Sequence, residues 1–250
     1  MNTTSHQPLV SQQAQRSIFG RILVGIDDTP ESLEAARQAA ALASGSVTLL
    51  AAYDLTETVV GAGMAPAPPV HLDEKPIRDR AAAALENARQ EIAPIQPTVK
   101  TARGRAWEVL LDEIAVDHLT LVAIGSHDAG RAKGILIGST ATELIHKAPC
   151  SVLVARKPLK SDFPRSIAVG VDGSKESAVA DAVAHDLAER FDSTLERLEN
   201  VDEPVSALVE ASMDADLLVV GSRGLHGIRA LGSVSERIAH EARCSVLIVR

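Results

Sequence analysis

The chain has 250 residues, 25 basic and 33 acidic side chains for a formal charge of −8, 46% hydrophobic residues and only 2% aromatics. That hydrophobic fraction excludes a disordered protein. Apolar runs shorter than ten residues exclude a bilayer-spanning helix, and an acidic, aromatic-poor chain lacks the basic footprint and stacking platform of a nucleic-acid binder.

Residues 1–17 carry no apolar targeting segment and read as a disordered tail, so a cytoplasmic location and no membrane partner are expected. Ile22–Ile26 reads as a first strand. Asp27-Asp28-Thr29-Pro30 then opens an Ala-rich helix, with Asp and Thr suited to capping its N–H groups and Pro to its first turn. Val47–Tyr53 is a second strand, and Val60–Pro76, rich in Gly, Ala and Pro, reads as a loop. A helix over Ile77–Ile92, a strand over Thr98–Ala102, a helix over Ala106–Ala115 and a buried strand over Leu119–Ile124 follow. Thr140–His146 is a fourth helix and Ser151–Ala155 a fifth strand. Two prolines and four basic residues make Arg156–Arg165 read as an exposed linker.

Beyond the linker the chain repeats itself. Ser166-Ile-Ala-Val-Gly-Val-Asp172 matches Arg21-Ile-Leu-Val-Gly-Ile-Asp27 at an offset of 145. Leu217-Leu-Val-Val-Gly221-Ser matches Leu121-Val-Ala-Ile-Gly125-Ser at 96, and Gly232–Arg250 matches Gly138–Arg156 without a gap at 94. The shrinking offset means that the second copy lacks 49 residues, about one strand and one helix, plus 2 more in its glycine loop. The expected division is a full copy over 18–157, a linker over 158–164 and a shortened copy over 165–250. The shortened copy is expected to lean on the full one. Its segment around Leu195–Asn200 is a weak strand candidate, because Leu195, Leu198 and Val201 are spaced by three rather than two. Alternating strands and helices imply α/β architecture with a parallel sheet and right-handed crossovers.

In such sheets ligands bind at the carboxyl ends of the strands. Three elements converge there in the first copy: Asp27 after strand one, Gly125-Ser126-His127-Asp128 after strand four, and Gly138-Ser139-Thr140 opening the fourth helix. A Gly-Ser pair at a helix N-terminus presents backbone N–H groups suited to an anion, most naturally phosphate, and glycine allows close backbone approach to a ligand. Ser126-His127-Asp128 is no catalytic triad, since adjacent side chains diverge. No metal-ligand spacing is present, so no tightly bound metal is expected, and Cys150 and Cys244 read as small buried hydrophobes. Trp107 reads as packing, and Met64 as part of a surface loop.

The spacing Gly, two residues, Gly, nine residues, Gly-Ser/Thr resembles the nucleotide loop of the universal stress protein (UspA) family. Val-Gly-Ile-Asp-Asp-Thr and Val-Gly-Val-Asp-Gly-Ser resemble its opening strand, and Ala-Pro-Cys-Ser-Val-Leu-Val and Ala-Arg-Cys-Ser-Val-Leu-Ile its closing strand. The resemblance implies two flavodoxin-like domains with strand order 3-2-1-4-5, the second shortened, and a stress-response role. Some members bind ATP and others do not. In binders the equivalent positions here are Asp27 by the adenosine, Ala52 (where Val is usual) by the base, and Gly125, Asp128, Gly138, Ser139 and Thr140 around the phosphates. Asp128 stands where the second glycine belongs and brings a negative charge, with Arg131 and Lys133 close behind it. The second copy keeps Asp172, Gly221, Gly224, Gly232 and Ser233, but has seven loop residues for nine, and its missing strand is a candidate for the one that lines the base. It reads as a degenerate site with half its walls absent. The implied cofactor is ATP, with or without Mg2+, in the first copy. Three readings stay open: a nucleotide-sensing module, an interaction protein without nucleotide, and a slow ATPase. The resemblance also implies an intramolecular pseudo-dimer through the two fifth strands, with scope for a further homodimer.

Overall fold

The computed structural model describes residues 18–54, 73–126, 137–156, 162–199, 201–222 and 234–250. The first copy runs β1 (Arg21–Gly25), α1 (Pro30–Leu42), β2 (Ser46–Tyr53), α2 (Lys75–Glu91), β3 (Thr98–Arg103), α3 (Ala106–Asp117), β4 (Leu121–Gly125), α4 (Ser139–Lys147) and β5 (Ser151–Ala155). The second runs β6 (Ser166–Val171), α5 (Lys175–Phe191), β7 (Thr194–Glu199), α6 (Pro204–Ala211), β8 (Leu217–Gly221), α7 (Val234–Glu241) and β9 (Ser245–Val249). The loop expected up to Pro76 ends sooner, because Pro76 sits in the first turn of α2, where a missing N–H costs nothing.

The nine strands of the described residues form one sheet in the order β3-β2-β1-β4-β5-β9-β8-β6-β7. The first five have the expected 3-2-1-4-5 order and pair in parallel. The last four reproduce it without a counterpart of β3, and among the described residues no helix corresponds to α2. The weak segment is the strand β7, paired in parallel with β6. Its spacing has a physical cause. Residues three apart on a strand point to opposite faces, and Leu195 packs into one core while Leu198 packs into the other.

The two cores lie on opposite faces of the sheet, and each contains residues of both copies. α1, α2 and α5 cover one face, and α3, α4, α6 and α7 the other. Small residues let the helices ride close to the sheet: Ala35, Ala36 and Ala39 on α1, and Ala180 and Ala184 on α5, are fully buried. This is how a core with almost no aromatic rings is filled.

The copies join through β5 and β9, which pair antiparallel with Leu153 opposite Leu247. These two residues are repeat counterparts, so a pseudo-twofold axis passes between them. Both copies extend an arginine past this seam. Arg156, expected in an exposed linker, is only 6% exposed. Its guanidinium donates to the carbonyls of Ala239 and Cys244, at the end of α7 and the start of β9. Arg250 does the same to Ile145 and Cys150 in the first copy. Arg190 on α5 donates to the carbonyls of Ala41, Leu42 and Ala43 at the end of α1. Cations suit helix C-termini, whose last carbonyls lack intrahelical partners, and here each comes from the other copy. Gln38 adds a buried bridge, donating to the Arg156 carbonyl at 2.6 Å while accepting from the Ser245 hydroxyl at 2.7 Å. The linker's described part is likewise not fully exposed: Pro164 is buried and Phe163 packs against the core.

Candidate functional site

Both copies carry a cavity at the carboxyl ends of their strands. In the first, Asp27, Ala52, Gly125, Gly138, Ser139 and Thr140 all line one cavity of about 140 Å³. Residues 113 positions apart in sequence are brought together by the crossover between β1 and β4, which are neighbours in the sheet. Asp128 lies outside the described residues, as do His127, Arg131, Lys133 and Met64.

Asp27 is held in place by its own turn. One carboxylate oxygen accepts the Thr29 N–H at 3.1 Å and also the Thr29 hydroxyl. Thr29 in turn caps α1 by accepting the Ser32 N–H at 3.2 Å, with Pro30 in the first turn. The N-terminus of α4 differs: Gly138 is its N-cap and no side chain caps it. Its first-turn N–H groups and the positive end of its dipole therefore face the same cavity as Asp27.

Gly125 has a different reason from the one its position suggested. A Cβ there would lie 2.5 Å from the Glu31 backbone carbon. The glycine is required by the close packing of α1 on β4, whatever occupies the cavity. Gly221 repeats this against Glu176 at 2.6 Å.

The second cavity is the larger, about 500 Å³, and Asp172 and Gly221 line it. Gly224, Gly232 and Ser233 lie outside the described residues. The expectation that deletion had stripped this copy of half its walls is corrected by the topology. The absent strand is the counterpart of β3, beyond β7 at the sheet edge, and not the strand expected to line the base. The absent helix corresponds to α2, on the opposite face. The walls come from β6, β7, β8, α6 and α7 and the first turn of α5, all of which are present. Leu198 occupies the place of Leu50, since each pairs with the equivalent glycine of the first strand, Gly170 and Gly25.

Cys150 and Cys244 are free and buried. Burial pushes their thiols up to about 11 and about 12, which keeps them neutral and unreactive. Trp107 packs beneath the Lys147 ammonium, 4.2 Å from its ring centroid. His146 on α4 meets Glu236 on α7 at 3.3 Å across the copies. Among the described residues no group of three or more His, Cys, Asp or Glu could hold a metal ion, and no helix is long and apolar enough to cross a membrane.

Sequence reasoning missed the apolar walls of the second cavity and the buried role of the two seam arginines. A signal for the latter was available, because Arg156 and Arg250 recur at the offset of 94 directly after the fifth strand of each copy.

The sequence model of the Universal stress protein family matches residues 19–156 and 194–250. Universal stress protein Rv2623 of Mycobacterium tuberculosis is 30% identical over 289 aligned positions, covering 92% of this chain and 96% of that protein. A universal stress protein of Mycolicibacterium smegmatis is 28% identical, with the same coverage of 92% and 96%. Among solved structures, a universal stress protein from Archaeoglobus fulgidus superposes with a TM-score of 0.73 at 16% identity, covering 94% of this chain and 99% of that one. The second family match begins at residue 194 and omits β6 and α5, which the topology nonetheless places as counterparts of β1 and α1.

Proposed function

The chain belongs to the universal stress protein family, and from that premise we propose that it binds an adenine nucleotide, ATP, in its first copy as part of a stress response. One observation carries the proposal: the uncapped N-terminus of α4 opens onto the cavity that Asp27 and Ala52 line. In this reading Ala52, Leu50 and Ile124 give the base an apolar floor. The Asp27 carboxylate accepts from ribose hydroxyls. The first-turn N–H groups of Ser139 and Thr140, with their hydroxyls, hold phosphate oxygens. A Mg2+ ion accompanying the nucleotide would be held by the phosphate oxygens and would offset their charge. The described residues are assigned to binding and orienting the nucleotide.

A second reading, an interaction protein without nucleotide, is favoured by the size of this cavity. About 140 Å³ is below the range of roughly 300–1,000 Å³ usual for small-molecule sites. Calorimetric titration of the full chain with ATP and Mg2+ separates them. The proposal expects saturable binding that is lost in Gly138→Asp, which sets a carboxylate at the phosphates, and weakened about tenfold or more in Asp27→Ala. Absence of binding at millimolar ATP gives the second reading. Adenine released on denaturing the purified protein supports the first.

A further inference from the structure

We propose that the cavity of the second copy is a binding site for an uncharged small molecule with a mainly apolar body and one hydroxyl or amine donor, separate from the nucleotide site of the first copy. At about 500 Å³ it falls within the size range of small-molecule sites, which are largely apolar with a few placed polar groups. Leu198, Val201, Pro204, Leu208, Val220 and Val234 make most of its wall.

Its serines add little polarity, because their hydroxyls are engaged with the backbone. Ser177 donates to the Ser174 carbonyl at 3.0 Å, and Ser235 to the Gly221 carbonyl at 2.7 Å. The Ser174 hydroxyl accepts the Ser177 N–H at 3.1 Å as the cap of α5. Among the described wall residues the only ionisable one is Asp172, an exposed carboxylate at the mouth, turned by a bond from the Ser174 N–H. A carboxylate there favours a donor and opposes an anion. The surrounding copy does the same, with eight basic and fifteen acidic residues from Ser166 onward.

The glycine at position 170 keeps the floor open. A Cβ there would meet Leu208 at 3.0 Å, so a side chain at this position would take up floor space and press on Leu208. The first copy has the equivalent Gly25, Leu50 and Leu110 yet encloses only about 140 Å³.

The test uses two probes of one shape. N-phenyl-1-naphthylamine is uncharged, apolar and carries one N–H donor. Its sulfonated analogue, 8-anilinonaphthalene-1-sulfonate, adds a negative charge. Fluorescence titration of the full chain should give saturable binding of the uncharged probe, at least about tenfold tighter than the sulfonate, and unchanged by millimolar ATP. Leu198→Trp places an indole in the cavity and should weaken the uncharged probe about tenfold or more. If that variant loses its thermal transition, Val201→Trp at the half-buried rim carries the same expectation. Asp172→Asn should narrow the gap between the probes by about threefold or more. The proposal is overturned by absence of saturable binding, by a filled-cavity variant that folds and titrates like the wild type, or by displacement with ATP, which would make the cavity a nucleotide pocket. Failure of the first-copy ATP reading leaves these titrations untouched.

Discussion

The two copies differ by one strand and one helix, and the shorter one holds the larger cavity. The lesson is in where the deletion fell. An edge strand and a helix on the far face are scaffold, while the described cavity walls are built by the first, second and fourth strands with α3 and α4, or by their counterparts β6, β7 and β8 with α6 and α7. The scaffold loss was met by the other copy. β9 pairs with β5, the two cores run across the seam, and arginines from each copy cap helices of the other.

The largest break of this comparison is to separate the copies. Residues 165–250 alone would leave the β9 edge open, exposing Val246, Leu247 and Ile248, and would leave four strands with three helices. A sheet of that size with an unprotected apolar edge is marginal. We expect no cooperative thermal transition by circular dichroism for this fragment, whereas 18–157 should keep one. A cooperative melt of 165–250 would show that the seam is a contact between self-sufficient domains.

A gentler break is Arg156→Met. It keeps the stem but leaves the carbonyls of Ala239 and Cys244 without their donors in a buried place. The loss should be about 2–3 kcal/mol in urea unfolding. Arg250→Met should cost less, because Arg250 is only half-buried and water can replace it. Equal losses would mean that the two arginines are interchangeable halves of one lock.

Much of this was legible from the repeat. The offsets of 145, 96 and 94 gave the tandem and the missing strand and helix. The seam followed from the resemblance. What was not legible has physical reasons. Leu195 and Leu198 lie in different cores, so an edge strand covered on both faces shows no alternation. Arg156 reads as linker by its neighbours Lys157 and Pro158, and only the antiparallel pairing of β5 with β9 buries it. Gly125 reads as a ligand glycine, yet its constraint is the backbone of Glu31, which lies 94 residues earlier. Cavity volume is a property of side chains from six elements and has no local signature.

The smallest predicted effect sits where α2 is missing. In the first copy Ala36 on α1 and Leu49 on β2 are fully buried in the core that α2 helps to close. Their counterparts are Asp181 on α5 and Arg197 on β7, since Arg197 pairs with Val169 as Leu49 pairs with Val24. With no helix above them, an apolar pair would face water. A two-pronged ion pair replaces it, with Arg197 donating to both Asp181 oxygens at 2.8 Å. Hydrogen bonding from the guanidinium holds the Asp181 carboxyl below its ordinary range. A carboxylate lowered in the folded state adds stability that is present above its unfolded value, about 3.9, and is lost as pH falls through the lower folded value. Half-exposed pairs of this kind contribute at most about 1 kcal/mol. Arg197→Met should therefore lower the melting temperature slightly at pH 7, and the gap from wild type should close as pH falls through the lowered folded value of Asp181 or as salt rises toward about 1 M. A gap that survives both conditions would mean that the arginine stem, packed over the sheet as Leu49 is in the first copy, does the covering instead of the charge.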